Sequence, residues 1–271
     1  MKFFVVLTTF ILASCSDSNF KRVETLSEFR VLAIQADKPE ANPGDTVNLR
    51  LFISDSGQGA GRLIEGVVSF CRDPGVAYGA DVDCSFDPDV IDDTFIVDTS
   101  TPDFVNNQFS AFSDPLPVTV PANFLDQKSY LEKTNGLSFL AIFKFDLDGK
   151  NLKIFKRIIV TERTSLNSNP TGGEVLVNES DFAGAVSKGD NLEYQANSPE
   201  TYSFINVDGT TELKEEEYSV AWYLSGGEVD LSKTNSREKT EITKLTEDPL
   251  VIVAVLRDDR GGVEVQRLTV P

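Results

Sequence analysis

Asp81, Asp83, Asp87, Asp89, Asp92 and Asp93 crowd six carboxylates into one acidic stretch, ADVDCSFDPDVIDD. Calcium takes about six to eight oxygen ligands from closely spaced carboxylates and carbonyls, so a Ca²⁺ site is expected here if anywhere. The plainer expectation, and the preferred one, is a solvated acidic loop. Asp146-Leu147-Asp148-Gly149 lacks the third ligand and distal Glu of an EF-hand and reads as a turn. Asp258 and Asp259 form a further acidic pair. The chain has no histidine, which removes Ser-His-Asp and Cys-His catalysis, histidine-ligated zinc and imidazole acid–base chemistry. Gly57 to Gly61 lacks the Lys of a phosphate-binding loop, and no Gly-x-Ser-x-Gly elbow occurs. A glycosidase needs only two carboxylates, but among 43 Asp and Glu a pair singles out nothing. A non-enzymatic protein without a resident cofactor is the expectation.

The elements that must position these groups begin with a leader. Lys2 precedes an apolar run, Phe3 to Ala13, too short to span a bilayer and suited to a secretory signal. It ends in Leu12-Ala13-Ser14-Cys15, which resembles the lipobox of bacterial lipoproteins. The resemblance implies a signal peptide over 1–14 and a lipidated N-terminus and tether over 15–28. Cys15 would carry diacylglycerol on its thiol and an acyl chain, palmitate for example, on its amino group. Ser16, where Asp would signal retention in the inner membrane, points to the outer membrane. With Cys15 acylated in an oxidising compartment, Cys71 and Cys84 remain as a pair and imply a disulfide. Their spacing is too wide for a redox-active Cys-x-x-Cys motif.

The net charge of −18 repels phosphate backbones and argues against nucleic acid as a partner. It leaves the acyl anchor as the membrane contact and a protein of the cell envelope as the expected partner.

Downstream the pattern is strands separated by Gly, Asp and Pro turns. Val47, Leu49, Leu51 and Ile53 alternate with mostly polar neighbours, and residues 137–160 form a hairpin turning at Asp148-Gly149. Asn123 to Lys133 offers a short helix, residues 72–104 a long acidic loop, and residues 162–173 a polar linker where proteolysis is expected. After the linker the plan recurs: KGDNLEYQA echoes PGDTVNLRLF, and LVIVAVLRDDRGGVEVQRLTV echoes the first closing hairpin. Trp222 alternates with Val220 and Leu224 on one strand face and reads as a core anchor. Phe86, Phe95, Phe104, Phe109 and Phe112 are expected under the loop as core, the alternative being an exposed recognition patch.

AWYLSGG with its closing hairpin resembles the immunoglobulin-like modules of PKD and cadherin-like type in bacterial surface proteins, and RVLAIQADKPEANPGDTVNL is similar to the start of such domains. The expected fold is all-β: two antiparallel immunoglobulin-like β-sandwich domains in tandem, at 29–161 and 174–271. The expected role is a surface or periplasmic interaction or structural module. The alternatives are a carbohydrate or calcium binder using the 72–104 loop, or a lipoprotein subunit of an envelope complex.

Overall fold

Strict alternation of apolar side chains decides the architecture. In the strand Thr46–Ser54, Val47, Leu49, Leu51 and Ile53 are buried in one core, because successive strand residues face opposite sides of a sheet. The computed structural model describes residues 25–26, 28–58, 61–75, 81–246 and 250–270. The leader, the lipobox and Cys15 lie outside the described residues.

The first sandwich contains β1 (Arg30–Ala36), β2 (Glu40–Ala41), β3 (Thr46–Ser54), β4 (Leu63–Arg72), β5 (Ile91–Asp98), β6 (Ser110–Phe112), β7 (Leu116–Thr119), β8 (Leu137–Leu147) and β9 (Lys150–Val160). Two short helices, α1 (Pro102–Asn106) and α2 (Tyr130–Asn135), lie between them. One sheet runs β1-β3-β6, with β7 also on β3; the other runs β2-β9-β8-β4-β5. The chain changes sheets between β1 and β2, so β1 pairs antiparallel with β3 while β2 pairs parallel with β9. Between the sheets lies an aromatic-rich core that includes Phe70, Phe124, Phe139, Phe143 and Phe145.

The second sandwich contains β10 (Glu174–Val177), β11 (Ser180–Asp181), β12 (Asn191–Gln195), β13 (Thr201–Ile205), β14 (Thr211–Glu215), β15 (Tyr218–Leu224), β16 (Gly227–Val229), β17 (Lys233–Asn235), β18 (Lys239–Leu245), β19 (Leu250–Asp258) and β20 (Val263–Val270). Its sheets are β11-β10-β12-β18-β16 and β17-β15-β19-β20, with β13-β14 a separate hairpin. Trp222 is fully buried between the two sheets, and its indole N–H donates to Thr234 Oγ1 at 3.0 Å. The chain is all-β and mainly antiparallel, folded as two sandwiches.

The internal repeat is visible at atomic detail. Asp45 closes a turn on Asn42, its N–H bonding Asn42 O and its carboxylate accepting the Asn42 N–H. Asp190 does the same on Ser187, and Gly44 and Gly189 share φ values of +87° and +93°. Each turn leads into the second main strand of its sandwich, β3 or β12.

The two sandwiches are packed face to face. Leu32, Ala33 and Phe52 from the outer face of the β1-β3 sheet meet Val251, Val253, Val255 and Val263 from the β19-β20 face. Four sheets are thereby stacked, and β19 is buried on both sides along nearly its whole length. Arg257 Nη2 donates to Leu32 O at 2.7 Å, and Gln35 Nε2 to Val263 O at 2.9 Å, across the same seam.

Three segments depart from the expectations above. Within the 72–104 loop, Ile91–Asp98 forms β5, the edge strand beside β4, because Phe95 packs edge-on against Phe143 and Phe145. The helix expected over 123–133 forms instead at Tyr130–Asn135, started by a capping box of Ser129 and Glu132. At the end of the expected tether, Leu26 is 2% exposed in the seam, and its N–H bonds Leu224 O at 2.9 Å.

A charge placed in the seam should separate the sandwiches. Val253→Asp buries an unpaired carboxylate in an apolar interface and is expected to cost at least about 4 kcal/mol. Scanning calorimetry should show one cooperative transition for the wild type and two for the variant. A single, merely shifted transition in the variant would mean that the seam does not couple the two cores.

Candidate functional site at the domain junction

The acidic loop is built from local turns. Cys71, at the end of β4, is joined to Cys84 with Cα atoms 5.6 Å apart. The bridge holds Val82 and Val90 against Leu140 and Ile142 on the outer face of β8. Asp83 accepts the Ser85 N–H at 2.8 Å, and Asp81 pairs with Lys153 Nζ at 2.7 Å. Asp87 accepts the N–H groups of Arg72 and Asp89 at 2.7 and 3.0 Å, while Asp93 accepts that of Thr94 at 2.8 Å. Asp89 is exposed, and Asp92 and Asp93, neighbours on β5, point to opposite faces. Among the described residues no three Asp, Glu or Cys side chains converge to hold a metal ion. Of the five phenylalanines near the loop, Phe104 is buried, Phe95 and Phe109 pack on the first core, and Phe112 stacks edge-on with Phe52 at the seam. Only Phe86 stands out, at 82% exposed.

A second polar constellation, which the sequence did not announce, lies at one end of the seam. The turn after β19 folds around Asp258, whose Oδ1 accepts the N–H groups of Arg260 and Gly262 at 2.9 and 2.6 Å. Gly262 is needed there: a Cβ would stand 2.1 Å from Asp258 Oδ2. The turn aims Arg260 at two buried carboxylates, Glu40 of β2 and Glu216 just before β15, the latter at 3.2 Å. Arg260 also lies under the Tyr202 ring, 4.5 Å from its centroid. Segment 162–173, expected as a free linker, threads through this cluster. Asn167 is buried; its N–H donates to Glu40 Oε2 at 2.8 Å and its Nδ2 to Asp258 Oδ2 at 3.3 Å. Asn169 Nδ2 donates to Ala36 O at 2.7 Å, and Asn169 Oδ1 accepts the Val263 N–H at 2.9 Å, tying both sandwiches together.

Glu40, Glu216 and Asp258 thus share a buried site with Arg260 and Lys156. Burial pushes the Glu216 carboxyl up to about 7, and the nearby Asp258 charge adds to the effect. Asp258 is itself raised, mainly by burial. Burial drives the Lys156 ammonium down to about 8, with Asp258 opposing and Arg257 reinforcing. Three acids facing two bases leave surplus negative charge, which raises the proton affinity of Glu216 and Asp258.

Beside this cluster opens a cleft of about 600 Å³. Its walls are residues 162–166, Tyr130 and Thr134 of α2, and β13, with Arg260 at its base. Asn135 of α2 clasps β13: its Nδ2 donates to Ile205 O at 2.7 Å and its Oδ1 accepts the Ile205 N–H at 3.0 Å. The cleft is lined mainly by hydroxyl-bearing residues together with Glu162, Arg163, Glu200 and Arg260, a surface suited to hydrogen-bonding a ligand.

No protein-family model matches the chain, and no curated protein matches it significantly. Solved structures align over about nine tenths of it, with low similarity. Escherichia coli alpha-2-macroglobulin activated by porcine elastase is 10% identical, with 90% of this chain and 22% of that one covered and a TM-score of 0.28. Spo0M, the sporulation control protein from Bacillus subtilis, is 11% identical, with coverage of 89% and 90% and a TM-score of 0.26. The Yersinia pseudotuberculosis adhesin InvE is 12% identical, with coverage of 90% and 60% and a TM-score of 0.23. Likenesses at these scores carry no functional argument.

Two outcomes follow from this geometry. A carboxyl whose folded pKa stands above its unfolded value contributes stability that is fully present below about pH 4.5 and lost as pH rises through about 7. Glu216→Gln removes that dependence. Between pH 4.5 and 7 the variant should gain on the wild type by on the order of 1–2 kcal/mol in urea denaturation; a pH-independent difference would place the proton elsewhere. In the acidic loop, Asp87→Asn should cost about 1 kcal/mol through its turn bonds, with or without calcium. Ca²⁺ and Mg²⁺ at matched ionic strength should shift the wild-type melting temperature equally. A Ca²⁺-selective rise abolished by Asp87→Asn would instead make the loop a calcium site.

Proposed function

We propose that this chain is an acyl-anchored lipoprotein of the outer membrane, a non-enzymatic interaction module facing the periplasm or the cell surface. The observation that carries the reading is the position of Leu26, docked in the seam between the sandwiches, only eleven residues after the Cys15 of the lipobox. At about 3.3–3.6 Å per extended residue, such a tether keeps the body within roughly 40 Å of its anchor. The anchored object is a stiff one, because the seam removes the hinge that two tandem domains would otherwise have. A stiff body on a short leash suits a protein that presents a surface at a set distance from a bilayer. Acyl chains worth about 0.8 kcal/mol per buried methylene would supply the attachment without a spanning helix. The junction cleft, lined mainly by hydroxyl-bearing and charged residues, favours binding of another envelope component over chemistry.

Metabolic labelling with a fatty-acid analogue tests the anchor. The wild type should incorporate label and sediment with outer membranes. Cys15→Ala should incorporate none and lose lipid-dependent processing. An unlabelled wild type would end the lipoprotein reading.

A further inference from the structure

The hairpin β13-β14 belongs to neither sheet of the second sandwich, and its backbone reveals what it leaves open. Glu216 N–H donates to Glu200 O at 3.0 Å, and Asn206 N–H to Thr210 O at 2.8 Å. The register pairs Thr201 with Glu215 and Ile205 with Thr211, so the even-numbered residues of this strand bond β14. In an antiparallel ladder the alternate residues then turn their N–H and C=O groups the other way. Thr201, Ser203 and Ile205 therefore present their backbone to the cleft, and all three line it.

Ile205 confirms the direction and sets a register. The Asn135 side-chain amide both donates to its C=O and accepts from its N–H, as a neighbouring strand's peptide group would. One rung of a third strand is thus already in place, supplied by a side chain. The next two rungs, at Ser203 and Thr201, have no protein partner among the described residues. Opposite them, residues 162–166 form the second wall of a cleft of about 600 Å³. From Thr201 to Ile205 the strand is roughly 13 Å long at about 3.3 Å per residue.

We infer that this cleft takes an extended peptide segment of a partner protein, added as a third strand along β13, as β-augmentation sites do. The edge of β5 is less fit for the role. It carries the exposed pair Asp92 and Asp93 and faces open solvent, a common protection against strand addition. Only main-chain groups are matched at the β13 edge, so charge supplies the discrimination. Within the cleft the charges balance, exposed Glu200 and Glu162 (the latter paired with Lys133) against Arg163 and Arg260, so the discrimination comes from the net charge of −18 on the chain as a whole. The fitting segment is therefore one bearing Lys or Arg between small or β-branched residues. This identification rests on the interaction reading above, but not on the lipid anchor.

The test uses the detergent-solubilised full chain and a display library of random twelve-residue peptides. Selected peptides should be cationic. They should bind Ser203→Pro at least tenfold more weakly than wild type. Proline at 203 removes a cleft-facing N–H without touching a bond to β14, which edge positions tolerate. Hydrogen exchange supplies the readout should that variant misfold: on adding a selected peptide to wild type, the Thr201 and Ser203 amides should become protected. Peptides that bind wild type and Ser203→Pro alike, or that leave both amides unprotected, would overturn the assignment, as would a library yielding no binder. A wild-type dimer converted to monomer by Ser203→Pro would overturn it too, giving the edge to a second copy of the chain. Loss of fatty-acid labelling would leave all these outcomes unchanged, so the anchor and the cleft fail independently.

Discussion

Double-sided burial of β19 is the constraint on which the rest of the molecule depends. One face of the strand fills the Trp222 core with Leu250, Ile252, Ala254 and Leu256; the other gives Val251, Val253 and Val255 to the seam. Fully burying such side chains is worth about 1.5–3 kcal/mol each, so the second sandwich gains by keeping the first against it. The seam also orders what lies around it, since Leu26, segment 162–173 and the β19-β20 turn all end at its margins. Two modules that would otherwise swing on a linker become one body.

The cost of that arrangement is concentrated at the junction. Docking closes over Glu40, Glu216, Asp258, Arg260 and Lys156, and charges withdrawn from water need partners or protons. The structure supplies both: a guanidinium shared by two carboxylates, an asparagine bridging Glu40 and Asp258, and raised proton affinity at Glu216 and Asp258. The same cluster holds the base of the cleft, because Arg260 supports Tyr202 and through it the β13 hairpin. Seam, charge cluster and cleft are therefore consequences of one docking event.

The first sandwich solves a parallel problem by other means. Strand β8 is apolar on both faces, with Phe139, Ala141 and Phe143 in the core and Leu140 and Ile142 outside it. Among the described residues no second domain covers that outer face. The Cys71–Cys84 bridge holds a small lid over it instead, seating Val82 and Val90 on Leu140 and Ile142. The acidic residues of the loop cap its turns and face solvent.

The local rules were legible in the sequence. Alternation in β3 and β15, the Gly-Asp turns before β3 and β12, the hairpin at Asp148-Gly149 and the core role of Trp222 depend on near neighbours and on the two-residue period of a strand. Hence the all-β class, the repeated module and the closing hairpins could be read directly. Even the seam left a trace, since Phe139–Phe143 and Leu250–Leu256 are unbroken apolar runs, the mark of strands covered on both faces. What covers each run was not legible: a disulfide-held lid in one case, a whole sandwich in the other. The junction cluster left no trace. Glu40 and Arg260 stand 220 positions apart, and a charged residue that docking will bury looks in sequence like any charged residue at the surface. Strand patterning is a property of adjacent residues; burial of Glu40, Glu216 and Asp258, and the open edge of β13, are properties of how two finished sandwiches meet, which only the tertiary structure decides.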